Sequence, residues 1–363
     1  MKIKEVIDAL EKFAPLPLQD GYDNSGLQIG LTEVEVTGAL LCLDVTEAVI
    51  EEAKRMGYNL IVSHHPLIFK GYKSITGKDY IERCILDAIK NDIVIYSMHT
   101  NLDNVNGGVS FKMAEKIGLK NIKILDPKEN ALLKLVTFVP KSHADIVRNT
   151  LFAVGCGHIG NYDNCSYNLE GMGTFRALDG TSPFCGEKGE FHKENEIRIE
   201  TILYSYNKNA ILKTLLEVHP YEEPAYDFYS LDNKCNTVGA GVIGELEEPQ
   251  TELEFIKRIK KIFEVGCIKH NRLTGRLIQK VALCGGSGAF LLPCAVGKSD
   301  VFITGEVKYH DYFNYEDKIL IADIGHYESE QYTKELIYSI IKEVFPSLEI
   351  MISKINTNPI KYL

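Results

Sequence analysis

The 363-residue sequence lacks the patterns that mark several broad classes of protein. None of its nine cysteines forms a C-x-x-C pair, and their odd number and scattered positions argue against a disulfide framework and a zinc ribbon. No block of lysine and arginine interrupts a chain whose net charge is −10, which argues against nucleic-acid binding. No apolar run approaches the ~18 residues that a membrane-spanning helix requires.

The N-terminal stretch MKIKEVIDALEKF also lacks a secretory pattern, because its apolar residues recur at helical spacing among charged ones. Hydrophobic residues make up 45% of the chain and charged residues 25%, as in ordinary globular proteins. We therefore expect a soluble, reduced, cytoplasmic protein with no membrane partner. At ~100–200 residues per domain, the length predicts two or three domains.

The two outer parts of the chain alternate apolar strands with helices. The N-terminal part predicts helices over 3–13, 46–57, 78–91 and 106–118, and strands over 38–44, 58–63 and 92–98. The C-terminal part predicts helices over 251–266 and 328–345, and strands over 279–290, 299–306 and 318–325. Because the strands are apolar throughout, we predict a two-part α/β core whose mixed sheets are covered by helices.

The middle of the chain has a different pattern. Strands are predicted over 131–140, 196–205 and 224–231, and helices over 143–155 and 208–219, with a polar, glycine-rich stretch between Gly157 and Asn195. We interpret these elements as a ferredoxin-like α+β insert of order β-α-β-β-α-β, which has one strand more than the three recognised here. We therefore place the domains at 1–126, 127–236 and 237–363, the two outer segments forming one core.

Imidazole and carboxylate side chains follow four predicted strands at their carboxyl ends, where open α/β sheets bind ligands. In chain order they are His64 and His65, then His99 and Asp103, then Glu306, and finally His326 and Glu330. The last two are four residues apart, which places them on one face of a helical turn.

Metal binding explains this pattern, because imidazole and carboxylate ligands suit zinc, manganese, iron or nickel. Five ligands are available, more than the four that a single tetrahedral zinc takes: His64, His65, Asp103, His326 and Glu330. Adjacent histidines on an extended backbone point in divergent directions, so they serve two metals more easily than one. We therefore hypothesise two divalent ions, about 3.5–4 Å apart, that share a carboxylate.

Each candidate ligand also has an ordinary structural role open to it. The histidine pair can arise by chance, Asp103 can cap the helix at 106–118, His326 can cap a turn, and Glu330 can be a solvated helix residue. The glycine loop CGGSGAF (284–290) fits a tight turn as well as a close approach to a phosphate or substrate. Convergence of the candidate ligands in space is the observation that separates the two interpretations.

Five blocks of sequence, in this order along the chain, resemble the Nif-three-like proteins, often described as GTP cyclohydrolase type 2 homologues. The blocks are SHHPLIF, MHTNLDN, GGSGAF, TGEVKYHD and GHYESE. The resemblance covers essentially the whole chain. Two middle blocks, GHIGNYDNCSYNLEGMGTFRAL and HPYEEPAYDF, resemble the extra domain of the longer bacterial members, which is similar to PII and CutA.

The resemblance implies two divalent metal ions on the five ligands already named, with Glu330 as the bridge. We expect zinc first, with iron, manganese or nickel as alternatives. It further implies that Glu306, His310 and His99 lie beside the ligands as acid, base or supporting groups. A homo-oligomer is also implied, a toroidal hexamer with metal sites facing an inner cavity and the inserted domain capping its openings.

The expected function is a metal-dependent hydrolase acting on a small molecule or nucleotide. If the family name applies, metal-activated water opens the purine imidazole ring of GTP and formate leaves. Two alternatives stay open. One is a dinuclear phosphoesterase, which would release phosphate and leave the base intact. The other is a non-catalytic regulatory protein that binds metal and senses ligands through the PII-like insert.

Overall fold

The computed structural model describes residues Met1–Leu363 and divides into two compact units. Unit 1 combines the N-terminal segment Met1–Pro127 with the C-terminal segment Asn236–Leu363. Unit 2 is the intervening segment Lys128–Cys235. None of the helices has both the length and the apolar composition needed to cross a bilayer.

Unit 1 contains a five-stranded sheet in the order β1-β4-β3-β2-β15. Its strands are β1 (Gly26–Ile29), β2 (Ala39–Cys42), β3 (Leu60–Ser63), β4 (Val94–Ser97) and β15 (Ile350–Ile352). All neighbours pair in parallel except β1, which runs antiparallel to β4. The helices of this part are α1 (Ile3–Phe13), α2 (Glu47–Met56), α3 (Tyr80–Lys90), α4 (Thr100–Asp103), α5 (Val109–Ile117) and α12 (Thr333–Val344).

The central strands of this sheet are buried at every position and mostly apolar, because both faces are covered. In β2, Ala39 and Leu41 pack into the cluster that contains α1 and α12, while Leu40 and Cys42 pack on the opposite face with α2 and α3. Successive side chains of a strand point to opposite faces, so a strand covered on both sides has no solvent-facing position and favours apolar residues. The predicted double-sided α/β core is confirmed here.

Helix limits in unit 1 follow from local capping. Thr46 accepts a hydrogen bond from the Val49 amide at the start of α2, and Gly57 ends that helix in the left-handed conformation, with φ 70°. Asp79 caps α3 by accepting from the Glu82 amide. These helices therefore begin and end within two residues of the predicted limits.

The second sheet of unit 1 has six strands in the order β11-β14-β13-β12-β10-β5. They are β5 (Lys120–Lys128), β10 (Cys235–Thr251), β11 (Lys269–His270), β12 (Leu277–Leu283), β13 (Val301–Thr304) and β14 (Leu320–Asp323). The strands β12, β13 and β14 are parallel, and β10 and β11 are antiparallel to their neighbours β12 and β14. The associated helices are α8 (Glu252–Ile262), α9 (Leu292–Ala295), α10 (Tyr309–Asn314) and α11 (His326–Glu330).

One predicted helix is wrong in its limits. The segment 328–345 was expected as a single helix, but α11 ends at Glu330 and α12 begins at Thr333. The two residues between them are held from outside the helix, because Gln331 Nε2 donates to the Phe263 carbonyl and Tyr332 Oη to the Ile262 carbonyl. Side-chain hydrogen bonds to the end of α8 therefore anchor the break between the two helices directly after Glu330.

Unit 2 holds a four-stranded antiparallel sheet in the order β7-β8-β6-β9. Its elements are β6 (Leu132–Pro140), α6 (Ala144–Ala153), β7 (Ser166–Arg176), β8 (Phe191–Tyr204), α7 (Lys208–Val218) and β9 (Tyr226–Ser230). Both helices pack on one face, where Val147, Leu151, Ile211 and Leu215 join the core. The polar stretch expected at 157–195 contains all of β7. This strand has no apolar pattern in the sequence because its side chains are mostly exposed.

Truncation of a buried core residue should show how much the second sheet depends on its packing. Phe302 on β13 is fully buried, so Phe302→Ala should lower the free energy of unfolding by about 3–5 kcal/mol. Phe191→Ala removes a ring that is 65% exposed and should change it by less than about 0.5 kcal/mol. Urea unfolding followed by circular dichroism measures both, and equal losses would contradict this packing.

Candidate metal centre

The candidate ligands meet at the carboxyl ends of parallel strands from both sheets of unit 1. His64 and His65 follow β3, and His99 follows β4 and precedes α4, which ends at Asp103. From the second sheet, α11 begins at His326 directly after β14 and ends at Glu330. The side chains predicted from separate strand ends are therefore brought together by the fold.

Glu330 lies at the middle of the cluster and is buried. Its Oε2 atom is 3.0 Å from His65 Nε2 and 3.1 Å from His326 Nε2, and its Oε1 atom is 3.6 Å from His64 Nε2. Asp103 Oδ1 is 3.8 Å from His64 Nε2, on the side of Oε1. One carboxylate thus faces two groups of ligands, one through each oxygen.

Four histidines use Nδ1 for a hydrogen bond that points away from the cluster. The acceptors are the Met98 carbonyl for His64 (2.7 Å), Asp44 for His65 (2.8 Å), Asp23 for His99 (2.7 Å) and Glu306 for His326 (3.0 Å). Each acceptor is a carbonyl or carboxylate oxygen, so Nδ1 carries the proton. When such a ring is neutral, its Nε2 atom presents a lone pair, which is the form in which imidazole binds a metal.

The imidazole rings lie close enough together to bind the same metal ions. The centroid of His64 is 4.9 Å from that of His65, and His99 lies 5.3 and 5.4 Å from these two. The ligand atoms of His64, His65 and His99 are within 4.8 Å of one another, as are those of His65, His326 and Glu330. His99 therefore stands in the cluster itself.

Two buried polar atoms at the centre have no hydrogen-bond partner. They are His64 Nε2 and Glu330 Oε2. His65 Nε2 and His326 Nε2 are 3.2 Å apart, although both rings already donate from Nδ1. Orphaned lone pairs at this spacing are costly in a buried site without a cation between them. This donor set fits divalent metal ions.

The pKa shifts of the buried groups in the cluster also indicate that positive charge stabilises it. Burial alone would raise the pKa of Glu330, but the His64, His326 and His65 rings hold it well below its ordinary value. Burial lowers the pKa of His64, which keeps that ring neutral. Burial and the Glu330 charge raise the pKa of Asp103 well above its ordinary range.

The pKa values of His65 and His326 are raised, in contrast to that of His64. Burial opposes their charged forms, yet the neighbouring carboxylates of Asp44 and Glu330 raise the pKa of His65 to about 10. The neighbouring Glu330 likewise raises the pKa of His326 to about 9. Protons on these rings supply the charge that divalent cations would supply instead.

The glycine loop lies directly against the cluster. Gly286 has φ 59°, and a Cβ atom at this position would overlap Glu330 Oε1. Ser329 Oγ accepts from the Gly286 amide at 2.9 Å, and the Gly286 carbonyl accepts from the Gly305 amide at 2.8 Å. The loop therefore positions α11 and leaves room for the Glu330 carboxylate.

The three residues expected as acid, base or supporting groups have different positions. Glu306 is exposed and accepts a hydrogen bond from His326 Nδ1, which makes it an orienting partner of that ring. His310 lies on α10, where its ring contacts Tyr309 and Phe313, and it makes no contact with the cluster. The structure thus brings His99 and Glu306 to the site and leaves His310 outside it within this chain.

Sequence reasoning missed Asp44 and Asp23. Asp44 lies two residues beyond the end of β2, so the strand-end criterion that selected His64 could have selected it. Asp23 lies in the loop before β1, a location without a signal in the sequence. It accepts hydrogen bonds from His99, from the Thr100 amide and from the Ser25 and Thr100 hydroxyls, which hold its pKa well below the ordinary value despite burial.

The fold and the site define a mixed α/β protein with a histidine–carboxylate centre between the carboxyl edges of two sheets. The chain belongs to the Duf34/NIF3 (NGG1p interacting factor 3) family, whose model matches residues 1–359. Two relatives carry the name GTP cyclohydrolase 1 type 2 homolog. The Halalkalibacterium halodurans protein is 41% identical, over 99% of this chain and 98% of its own. The Bacillus subtilis protein is 34% identical over the same shares.

Solved structures share this fold over the full length. A Bacillus cereus protein related to NIF3 superposes with a TM-score of 0.83 at 36% identity, over 100% of this chain and 99% of the other. The Staphylococcus aureus protein SA1388 gives a TM-score of 0.79 at 31% identity, with the same coverage. The predicted family and the mixed α/β fold are confirmed.

Loss of an orienting partner should weaken metal binding. Glu306→Ala leaves the His326 ring free to rotate, and we expect the dissociation constant for Zn²⁺ to rise roughly 10–100-fold. Competition with a chromophoric chelator measures this constant. Glu316→Ala, at another exposed glutamate of the same segment, should leave it unchanged. An unchanged affinity in Glu306→Ala would show that Glu306 does not orient a ligand.

Filling the space beside Glu330 should have a similar effect. In Gly286→Ala the new methyl group displaces the Glu330 carboxylate, and we expect at least a roughly tenfold weaker affinity for Zn²⁺. Gly297→Ala is the matched control, because Gly297 has φ 75° but no atom near its Cβ position. Both variants carry the left-handed backbone cost of about 1–2 kcal/mol. Equal affinities in the two variants would contradict this steric role.

Proposed function

We propose that this protein is a hydrolase that depends on two divalent metal ions. The observation that carries the proposal is the arrangement of Nδ1 hydrogen bonds, which turns the Nε2 lone pairs of the histidines toward the buried Glu330. A structural histidine cluster would use its free nitrogens in hydrogen bonds to the protein, because unpaired buried polar atoms are costly. Here the Nε2 atoms of His65 and His326 lie 3.2 Å from each other, and that of His64 has no hydrogen-bond partner.

Glu330 is the proposed bridge between two ions. One ion would be held by His64, Asp103 and Glu330 Oε1, and the other by His65, His326 and Glu330 Oε2, a division supported by the distances from each carboxylate oxygen. Mixed imidazole and carboxylate ligands suit zinc, which we propose first, and also iron, manganese or nickel.

Two bound ions would supply Lewis acidity and lower the pKa of a water molecule at the site. The chain's own groups would hold and move the protons. His99 is oriented by Asp23 and lies beside His64 and His65, where it can accept a proton from water. Glu306 binds His326 through Oε1, so its other oxygen remains available as a second acceptor. His310 would act only if another copy of the chain brought it to the site.

The proposed substrate is GTP, the molecule named in the relatives' description. One water would add at C8 and open the imidazole ring of the purine, and a second would release C8 as formate. A cavity of about 700 Å³ supports a ligand of nucleotide size beside the centre, because Glu306 and Ser287 of the glycine loop line it. Phe290 and Tyr315 offer rings to a base, and Lys308 offers a charge to a phosphate.

Other properties implied by the family resemblance are also proposals. We propose that unit 2 is a ferredoxin-like insert of the PII and CutA type, supported by the element order β-α-β-β-α-β and the antiparallel sheet order β7-β8-β6-β9. We propose a toroidal homohexamer from the family resemblance, and three exposed aromatic rings of unit 1, Phe290, Tyr309 and Phe313, support self-association. A cytoplasmic location is supported by the nine cysteines, all of which are thiols rather than disulfides.

Product analysis tests the proposed reaction. Purified protein loaded with zinc, manganese or iron(II) should release formate from GTP, and prior treatment with a chelator should abolish this activity until metal is returned. His65→Ala should fall to the rate of the metal-only blank, because it removes a ligand and a partner of Glu330. His158→Ala, at an exposed histidine of unit 2, should retain the wild-type rate.

The products also separate the alternatives. Release of inorganic phosphate with an intact base would assign phosphoesterase activity to the same centre. Turnover no higher than the metal-only blank in wild type and His65→Ala alike, across nucleotides and phosphoesters, would remove the hydrolase proposal.

A further inference from the structure

A second group of metal-binding side chains lies in unit 2. The ligand atoms of Cys185, His192 and Glu194 are within 4.8 Å of one another, and all three residues are half-buried. His192 Nε2 is 2.9 Å from Glu194 Oε2. Thiol, imidazole and carboxylate converge here in a part of the chain that the proposed hydrolase chemistry does not use.

The backbone explains why these residues meet. His192 and Glu194 are two positions apart on β8, so both side chains point to the same face of the sheet. The loop between β7 and β8 returns Cys185 over that face. Gly186 has φ 77°, and a Cβ atom there would lie 2.8 Å from His192 Cγ. Only glycine therefore lets the loop rest on the imidazole ring beside Cys185.

Aromatic rings flank the cluster and cover part of it. The His192 ring centroid lies 5.2 Å from that of Phe175, and Cys185 Sγ lies 3.9 Å from Tyr221 Oη. Phe184, next to Cys185 in the chain, has its ring centroid 6.1 Å from that of Tyr221. These rings lower the local polarity, which strengthens the attraction between a cation and its ligands.

We propose that Cys185, His192 and Glu194 form a binding site for a thiophilic divalent cation of the Zn²⁺ class. One sulfur, one nitrogen and one oxygen donor match the ligands that Zn²⁺ takes in tetrahedral sites. Three protein ligands leave one position of a tetrahedron open. This combination favours zinc or cobalt over magnesium and calcium, which prefer oxygen donors alone.

A cavity lies against the aromatic rings that flank the cluster. It measures about 700 Å³, and Phe175, Phe184 and Tyr221 are among the residues that line it. The two middle sequence blocks contribute its walls, the first through residues 169–178 and the second through Tyr221 and its neighbours. The cluster and the cavity together give unit 2 a binding role of its own, which does not rest on the proposed hydrolase function.

Cobalt substitution tests this site in the intact chain. Co²⁺ bound to a thiolate gives a charge-transfer absorption in the near ultraviolet, whereas a centre of imidazole and carboxylate ligands gives none. We expect this absorption when wild-type protein is titrated with Co²⁺, and we expect Zn²⁺ to abolish it by competition. Cys185→Ser should remove the absorption and lower the metal content by one ion per chain in elemental analysis.

Control variants test whether the Co²⁺ absorption comes from the Cys185 site. Cys267→Ser removes an exposed cysteine of unit 1 and should leave the absorption intact. Glu330→Gln alters the histidine–carboxylate centre and should also leave it intact, so the two sites can fail independently. Glu194→Gln should weaken Co²⁺ binding without removing the thiol. Absence of the absorption in folded wild-type protein at saturating Co²⁺, or its persistence in Cys185→Ser, would overturn the proposal.

Discussion

The site in unit 1 depends on one arrangement, the hydrogen bonds that fix the Nδ1 atoms of four histidines. Each bond selects a tautomer and sets the orientation of a ring, so the four Nε2 atoms face a common space. The acceptors come from distant parts of the sequence, among them Asp23, Asp44 and Glu306. Without these acceptors the rings could rotate toward water, and Glu330 would be a buried carboxylate without a defined environment.

The negative charge and the lone pairs gathered by this arrangement require positive charge nearby. A buried carboxylate and several lone pairs at 3.0–3.8 Å form an environment that only positive charge can stabilise. Protons on His65 and His326 provide part of that charge, and divalent ions would provide more. Metal binding would therefore also stabilise the fold, because the ligands join strand ends from both sheets of unit 1.

The sequence predicted the apolar strands and the residues that follow them, because a strand buried on both faces and a ligand at its carboxyl end both leave local signals. His64, His65 and Glu330 were found in this way. The β7 strand gave no such signal, since its side chains are mostly exposed. Asp23 was missed because its role comes from a contact with His99, 76 residues away. No local pattern reports a partner at that distance.

The structure explains two features that the sequence did not determine, the role of the glycine loop and the break in the helix after Glu330. A tight turn and a ligand-approach loop were both consistent with CGGSGAF, and Gly286 serves the first role so that Glu330 can occupy the space beside it. Gln331 and Tyr332 are hydrogen-bonded at the break between α11 and α12. The short helix α11 is held instead by the glycine loop, through the bond from the Gly286 amide to Ser329 Oγ. Backbone geometry around one carboxylate thus determines where the two sheets place their ligands.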